Sequence, residues 1–210
     1  MKKSLFAVLC ALCLMAFSAQ AQNSSEPERF RVGPTAGLAL STTNLAASHA
    51  AVFGFNLGAL ATYGLGSGMY VESGLLFAGK GVKWTYEGDR CNPIYLDIPV
   101  NFGYEIPVGE GINAFAEAGL YFGFGIGGKM YDGGTGRSWS YWNTTWENSW
   151  YSGGTTNRFE LGVGLALGVE IFNGLQIRLG YNAGLTKINT LSNSARSYDT
   201  YTLGVAWMFL

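Results

Sequence analysis

The sequence is short of charge. Asp, Glu, Lys and Arg make up 13% of its 210 residues, about half of their usual share of roughly 25%, and the formal net charge is −1. A chain so close to neutral has no electrostatic reason to bind nucleic acid, so that class of partner is excluded. Proline is scarce as well, at 5 residues, and the 31 glycines follow no triplet period, which excludes collagen.

Cysteine and histidine are nearly missing. Cys10 and Cys13 lie in the N-terminal leader described below, so Cys91 remains alone and an intrachain disulfide is excluded. His49 is the single histidine, which is too few for a histidine-based metal site. We therefore expect no metal and no cofactor. Cys91 is expected to be an unreactive thiol, because a nucleophilic cysteine needs a histidine beside it.

The N-terminus has the pattern of a secretory signal peptide. Met1, Lys2 and Lys3 form a basic start, residues 4–18 are mostly apolar, and Ala19-Gln20-Ala21 supplies the small residues of a cleavage site. The apolar run is shorter than the ~20 residues that a membrane-spanning helix needs. The sequence thus predicts a cleaved signal peptide at 1–21 and a mature domain at 22–210, with 11 basic and 14 acidic residues and a net charge of −3.

The mature part has no long apolar run and instead alternates apolar and small or polar residues. Alternation with a period of two predicts β-strands whose side chains point to opposite faces. Eight such runs occur, at 30–40, 53–63, 71–77, 96–106, 114–126, 159–171, 175–185 and 201–209.

One face of these runs is bulky and apolar, whereas the other mixes glycine with charge. Leu165 and Phe124 belong to the first face, and Gly164 and Gly123 to the second. A soluble barrel would bury the apolar face and show Lys, Glu, Thr and Ser outside. A membrane barrel turns the apolar face to lipid, and with eight strands its interior is narrow enough to need small residues. The glycine-rich face favours the all-β reading of an eight-stranded antiparallel transmembrane β-barrel, an up-and-down meander closed by its first and last strands.

Loop lengths predict the orientation of this barrel. The connections at 41–50, 80–93, 128–157 and 187–197 are long and polar, and those at 64–68, 107–112 and 172–174 are tight. Outer-membrane barrels have short periplasmic turns and long outer loops. We therefore expect four loops outside the bacterial outer membrane, and both termini in the periplasm.

Three short motifs carry a resemblance to a known family. Gly79-Lys80-Gly81 ends the third run, Tyr95-Leu96-Asp97-Ile98-Pro99-Val100 opens the fourth, and Gly184-Leu185-Thr186-Lys187-Ile188 ends the seventh. Together they resemble the outer-membrane protein β-barrel family of the Bacteroidota, also called PorT-like, over nearly the whole mature chain. The resemblance implies the fold and the location of the protein more than its activity.

The charges on the glycine face are the first candidate site. They are expected to meet inside the barrel, either as a charged pore or proton path or as a core of ion pairs that plugs it. The nine residues are Arg31, Glu72, Asp97, Glu105, Glu117, Arg158, Glu160, Glu170 and Arg178.

The loop at 128–157 is the second candidate. Its length of about 30 residues is unusual for a connection and points to function or disorder. Tyr and Trp among small polar residues suit a contact surface for a ligand or partner protein, although the same rings could cover the barrel mouth or lie in lipopolysaccharide. The residues are Trp139, Tyr141, Trp142, Trp146, Trp150 and Tyr151.

A non-enzymatic membrane protein is the function expected from these patterns, acting in envelope integrity or surface interaction. The alternatives are a small channel or transport accessory, and a lipid A-modifying enzyme that would use His49 with Ser48 or Ser41. The expected partners are outer-membrane lipid and lipopolysaccharide, the barrel-assembly machinery, and a surface ligand or envelope protein.

Overall fold

A computed structural model describes residues 30–43, 49–84, 89–140, 157–172, 174–186 and 197–209. The strands are β1 (Phe30–Thr43), β2 (His49–Gly66), β3 (Met69–Gly79), β4 (Val82–Trp84), β5 (Arg90–Gly109), β6 (Ile112–Tyr131), β7 (Ser138–Ser140), β8 (Phe159–Ile171), β9 (Leu175–Gly184) and β10 (Tyr198–Trp207). Within these ranges, no helix has the length and apolar character needed to cross a membrane. The expected signal peptide at 1–21 lies outside the described residues.

Eight of the strands close a ring in which every neighbour runs antiparallel. The pairs are β1–β2, β2–β3, β3–β5, β5–β6, β6–β8, β8–β9 and β9–β10, and β10 returns to β1. Closure leaves no strand edge without hydrogen-bond partners, which lipid requires of a spanning sheet. The predicted eight-stranded meander, closed by its first and last strands, is confirmed.

One end of the ring gathers the short turns, the start of β1 and the end of β10. The turns β2–β3, β5–β6 and β8–β9 lie there, and Val32 near the start of β1 bridges to Phe209 after β10. In the β2–β3 turn, Gly66 and Gly68 have φ of 94° and 81°, values that glycine adopts without steric cost. We call this the turn end, and the opposite one the loop end.

In the structure, side chains point to the two sides of the wall as the alternation predicts. Outward side chains such as Leu165, Leu179 and Phe53 are 58%, 61% and 81% exposed, although they are large and apolar. Their inward neighbours are mostly small or polar and are half-buried. An exposed apolar belt around the whole ring is a surface for lipid rather than for water.

The strands run further towards the loop end than the apolar alternation predicts. β5 begins at Arg90 and β6 continues to Tyr131, and the short strands β4 and β7 pair beyond the ring on β5 and β6. Backbone pairing continues there, but the apolar pattern stops because these segments extend past the belt that faces lipid. Alternation alone therefore predicts the start of β5 too late and the end of β6 too early.

Pro99 interrupts the ladder between β3 and β5. Ser73 pairs with Val100 and Leu76 pairs with Asp97, but the positions between these two pairs are not paired. The reason is that proline has no N–H to donate. The Ser73 hydroxyl donates instead to the Pro99 carbonyl oxygen at 2.8 Å, which holds the two strands together beside Asp97.

Candidate functional site

Among the described residues, the barrel interior holds three ionic groups, each with one cation between two carboxylates. We name them by the cation: the Arg178 unit, the Lys80 unit and the Arg31 unit. Their side chains come from different strands and point inward because they occupy the glycine-bearing face. The carboxylates are Glu72 and Glu117, Asp97 and Glu160, and Glu105 and Glu170, respectively.

The Arg178 unit joins three strands across the lumen. The Arg178 guanidinium on β9 donates to both carboxylate oxygens of Glu72 on β3, each at 2.7 Å, in the two-pronged geometry typical of strong Arg pairs. It also donates to Glu117 on β6 at 2.8 and 2.9 Å. Tyr70 donates its hydroxyl to Glu117 at 3.0 Å, and the Asn101 amide donates to both acids at 3.4 and 3.2 Å. Both carboxylates are thus held from more than one side.

The Lys80 unit is built in the same way towards the loop end. The Lys80 ammonium lies 3.0 Å from Asp97 and 2.8 Å from Glu160, and all three side chains are buried. Tyr121 donates its hydroxyl to Glu160 at 2.8 Å. The ammonium also lies 4.6 and 4.7 Å from the ring centroids of Tyr95 and Tyr121, a distance at which an aromatic face attracts a cation.

The Arg31 unit lies towards the turn end. Arg31 contacts Glu170 at 2.6 Å and Glu105 at 3.4 Å. Asn113 donates to Glu105 at 2.5 Å, and the Gln176 amide donates to Glu170 at 2.8 Å. Since the Gln176 carbonyl oxygen also accepts from Arg178 at 2.9 Å, this one side chain connects the Arg31 and Arg178 units.

Charge balance is the same in each unit. One cation cannot neutralise two carboxylates, so every unit carries a formal charge of −1 when all its acids are ionised. A buried charge is tolerated only when partners and hydrogen bonds replace its hydration. The amide and hydroxyl donors around the acids supply those bonds, which explains why each pair of carboxylates is accompanied by Tyr, Asn or Gln side chains.

Glycines opposite the tyrosines determine where the hydroxyls lie. Tyr70 faces Gly103 across the β3–β5 ladder, and Tyr121 faces Gly162 across the β6–β8 ladder. A Cβ atom on either glycine would overlap the tyrosine ring. The rings therefore lie flat on bare backbone, and their hydroxyls extend sideways to the carboxylates. Ring-on-glycine pairs of this kind also strengthen a sheet where glycine would weaken it.

Two internal spaces separate and border the units. A cavity of about 90 Å³ lies between the Lys80 and Arg178 units, with Asn56, Asn182 and Thr202 on its wall. A wider, open cavity of about 690 Å³ at the turn end reaches Arg31, Glu105 and Glu170. The first is large and polar enough for several water molecules.

Arg158 lies at the loop end rather than within the three units. It directly precedes β8, its carbonyl oxygen accepts from the Gly125 N–H at 2.7 Å, and its side chain is exposed. Lys80, assigned to a loop by the sequence pattern, takes the place of the third cation. Its position could have been found, because Glu72, Leu76, Ala78 and Lys80 share the even-numbered inward face of one run.

The other sequence-based candidates fall mostly outside the described residues. Trp139 in β7 pairs with Met130 in β6, and only the backbone of Trp139 is described. The range 141–156, which is not described, contains Tyr141, Trp142, Trp146, Trp150 and Tyr151. Ser48 is likewise not described, nor is the His49 side chain.

Ser41 and Cys91 point inward. Ser41 is fully buried and shares a hydrogen bond of 2.9 Å with the Thr200 hydroxyl. The Cys91 sulfur is buried 3.6 Å from the Tyr198 hydroxyl. Over the described ranges, no group of three His, Cys, Asp or Glu side chains has the arrangement of a metal site.

Comparison with known proteins gives one family and a set of similar folds. The profile of the family described as "Outer membrane protein beta-barrel domain" matches residues 9–209. No curated protein sequence matches the chain significantly.

Several solved structures are similar in fold. Neisserial surface protein A is 15% identical, with a TM-score of 0.49 over 86% of this chain and 97% of that one. OprG of Pseudomonas aeruginosa is 13% identical, with a TM-score of 0.47 over 86% of this chain and 95% of that one. Ail, the attachment invasion locus protein of Yersinia pestis, is 14% identical, with a TM-score of 0.44 over 86% of this chain and 99% of that one. The structure of Ail was solved with the heparin analogue sucrose octasulfate.

Proposed function

Because the chain belongs to the outer membrane protein β-barrel domain family, we propose that it acts in that membrane as a closed, non-enzymatic barrel. Its role would lie in envelope integrity or surface interaction. The stacking of three ionic units along the lumen is the observation that carries this proposal. The three sequence motifs support the further proposal that the chain belongs to a PorT-like branch of this family in the Bacteroidota.

The units support a plug rather than a pore. An eight-stranded barrel leaves just enough room for side chains, and here the room is occupied by charged groups that bind each other across the lumen. Arg178 alone reaches from β9 to β3 and β6. An ion moving along the axis would have to separate these pairs, and breaking a buried pair costs about 3–5 kcal/mol.

The orientation in the membrane follows the same family rule. We place the loop end outside the cell, and the turn end, with both chain termini, in the periplasm. Support comes from the contrast between the two-residue β5–β6 turn and the 27-residue gap between β6 and β8 that contains β7.

Planar-bilayer recording tests the plug. The purified barrel should show no discrete openings, whereas Arg178→Gln, which removes the cation between Glu72 and Glu117, should produce noisy leakage. Exchange of the charges at Glu117 and Arg178 serves as a companion variant. Discrete openings of the unmodified protein that vanish on this exchange would overturn the plug.

A small channel is the second candidate, and the two internal spaces favour it. The wide cavity at the turn end and the smaller one above the Arg178 unit would join if that unit moved aside. The same recordings separate the candidates, since a channel predicts openings with a fixed unit conductance.

The aromatic loop supports surface contact as the role of the barrel. Trp and Tyr among Ser, Thr, Asn and Gly, as in residues 139–151, make large contact areas with little loss of side-chain entropy. Deletion of residues 139–150 should abolish binding of cells to a panel of glycans and envelope proteins. Unchanged binding to every member of the panel would make the loop a cover for the barrel mouth.

The non-enzymatic part of the proposal has its own test. Cells with the gene deleted should keep the lipid A profile of the parent strain. A lost acyl chain or headgroup modification that returns on complementation would identify a lipid-modifying enzyme.

A further inference from the structure

Three cations lie close together on the outer side of the wall at the loop end. Lys83 in β4, Arg90 in β5 and Lys129 in β6 are all exposed. We call them the basic patch. None of them belongs to the interior units, and they are not among the candidates found from the sequence.

The register of the strands places all three on the membrane-facing side. Cys91 and Met130, which are paired neighbours in β5 and β6, point inward and are 1% and 4% exposed. Side chains alternate along a strand, so Arg90 and Lys129 point outward. A bulge in β6, where Ile94 pairs with Gly127 but Tyr95 pairs with Gly125, gives Lys129 this direction, because one extra residue exchanges the two faces.

The patch breaks a rule of strand pairing. Lys83 and Arg90 are directly opposite each other, and like charges in that position destabilise a sheet. Lys129 is the diagonal neighbour of Arg90, since Arg90 pairs with Tyr131, at a typical separation of ~7–8 Å. Local conflicts of this kind in a folded protein commonly mark functional sites.

The acids nearest in the described part of the chain are engaged elsewhere. Asp89 accepts a hydrogen bond from the Gly133 N–H at 2.8 Å. Asp132 accepts from the Thr135 hydroxyl and N–H at 2.7 and 3.0 Å and from the Gly134 N–H at 2.8 Å, and these bonds hold the pKa of its carboxyl below the usual value. Among described residues, no carboxylate lies within ion-pair distance of a patch cation.

The patch also lies just beyond the apolar belt. Ile126 and Phe124, outward in the same strand as Lys129, are 51% and 42% exposed. Arg90 is four residues past Ile94 along β5, a distance of roughly 13 Å. Its guanidinium lies 4.4 Å from the centre of the Tyr131 ring, which holds it in place without neutralising it. The cations are thus at the height where lipid acyl chains give way to headgroups.

We propose that the basic patch binds the phosphate groups of lipopolysaccharide in the outer leaflet. The inference rests on the proposed orientation, which puts the loop end in that leaflet. Complementary charge is the reason for the choice of ligand. A phosphate between Lys83, Arg90 and Lys129 would remove the repulsion between opposed cations and supply an anion that the described residues do not.

Native mass spectrometry of the full mature barrel in detergent tests the patch. The probes are bisphosphorylated lipid A and the same lipid A with its phosphates removed. Unmodified protein should retain the phosphorylated form more tightly. The triple variant Lys83→Gln, Arg90→Gln, Lys129→Gln should lose on the order of 100-fold in that affinity, from about fivefold per cation, while its affinity for the dephosphorylated form stays the same.

Matched variants separate charge from fold. Arg137→Gln removes an exposed cation from the β6–β7 connection and should leave lipid A binding unchanged, and Lys83→Arg with Lys129→Arg should keep it. Heat-modifiable gel migration establishes that each variant is folded. A folded triple variant that retains phosphorylated lipid A as the unmodified protein does would overturn the proposal.

A third probe identifies the source of the phosphate. An equal preference for phosphatidylglycerol would assign the patch to anionic glycerophospholipid and overturn the choice of lipopolysaccharide. The orientation and the phosphate selectivity can be refuted separately. The orientation is tested by labelling in cells, whereas the phosphate selectivity is measured on the purified protein.

Discussion

Gly164 and Leu165 are neighbours in β8 with opposite surroundings. A Cβ at Gly164 would lie 2.7 Å from the Asn182 side-chain oxygen, whereas Leu165 is 58% exposed on the outer wall. The glycine excess, which suggests flexibility in the composition alone, is therefore a matter of space. Glycine stands where an added side chain would collide with inward neighbours such as Asn182, and bulky side chains stand where the wall meets lipid.

The same substitution at these two positions should have opposite results. Gly164→Trp should prevent most of the protein from assembling, because the indole would displace side chains in a filled interior and overpacking costs about 1–3 kcal/mol or more. Leu165→Trp should fold as the unmodified protein does. Heat-modifiable migration on gels measures the folded fraction, and equal folding of the two variants would contradict the assignment of faces.

Residue type and the alternation of side chains along a strand together predict which side chains lie inside the barrel. The prediction fails at the ends of the alternating runs. For Glu72, Glu117 and Arg178 the alternation continues on both sides of the residue, so the inward position follows. Lys80 and Arg158 each stand at the end of a run. Whether pairing continues past a run is decided by partner strands, which a single sequence does not display. The pattern therefore assigns Lys80 to a loop although it is buried among the interior charges, and it does not predict that Arg158 is exposed at the loop end.

Individual strands are tied together through the lumen as well as along their edges. Glu72 on β3, Glu117 on β6 and Arg178 on β9 are not neighbours in the ring, yet they share one set of ion pairs. Ladder hydrogen bonds determine register between adjacent strands only. The interior units therefore add a constraint between opposite walls, which resists flattening of the barrel.

Removal of Arg178 should weaken these strands strongly. Arg178→Met leaves Glu72 and Glu117 buried without their cation, and we expect a loss of about 3–5 kcal/mol in the free energy of unfolding. Urea titration of the protein in lipid vesicles, followed by Trp fluorescence, measures this loss.

The matched control neutralises the whole unit. Arg178→Met combined with Glu72→Gln and Glu117→Gln should recover most of the lost stability, since no unpaired charge remains. If the triple variant were as unstable as Arg178→Met alone, packing of the Arg178 side chain rather than charge would explain the loss.

At the scale of the whole molecule, the low charge of the sequence has a structural meaning. The outer wall has few charges because it faces lipid, and six carboxylates and three cations of the described part are directed inward. The three cations of the basic patch lie on the outer wall at the loop end. The molecule is thus polar at its ends, apolar around its waist and ionic along its axis, which fixes a single depth in a bilayer.

Only one direction across that bilayer satisfies the loop rule, and labelling in cells tests it. In a Cys91→Ser background, Ser138→Cys in β7 and Glu110→Cys in the β5–β6 turn each place one exposed thiol at an opposite end. A maleimide attached to a polymer too large for porins should label the first in intact cells, and the second only after the outer membrane is permeabilised. The reverse pattern would place the turn end outside and would remove lipopolysaccharide as the ligand of the basic patch in cells, because Lys83, Arg90 and Lys129 would then face the inner leaflet.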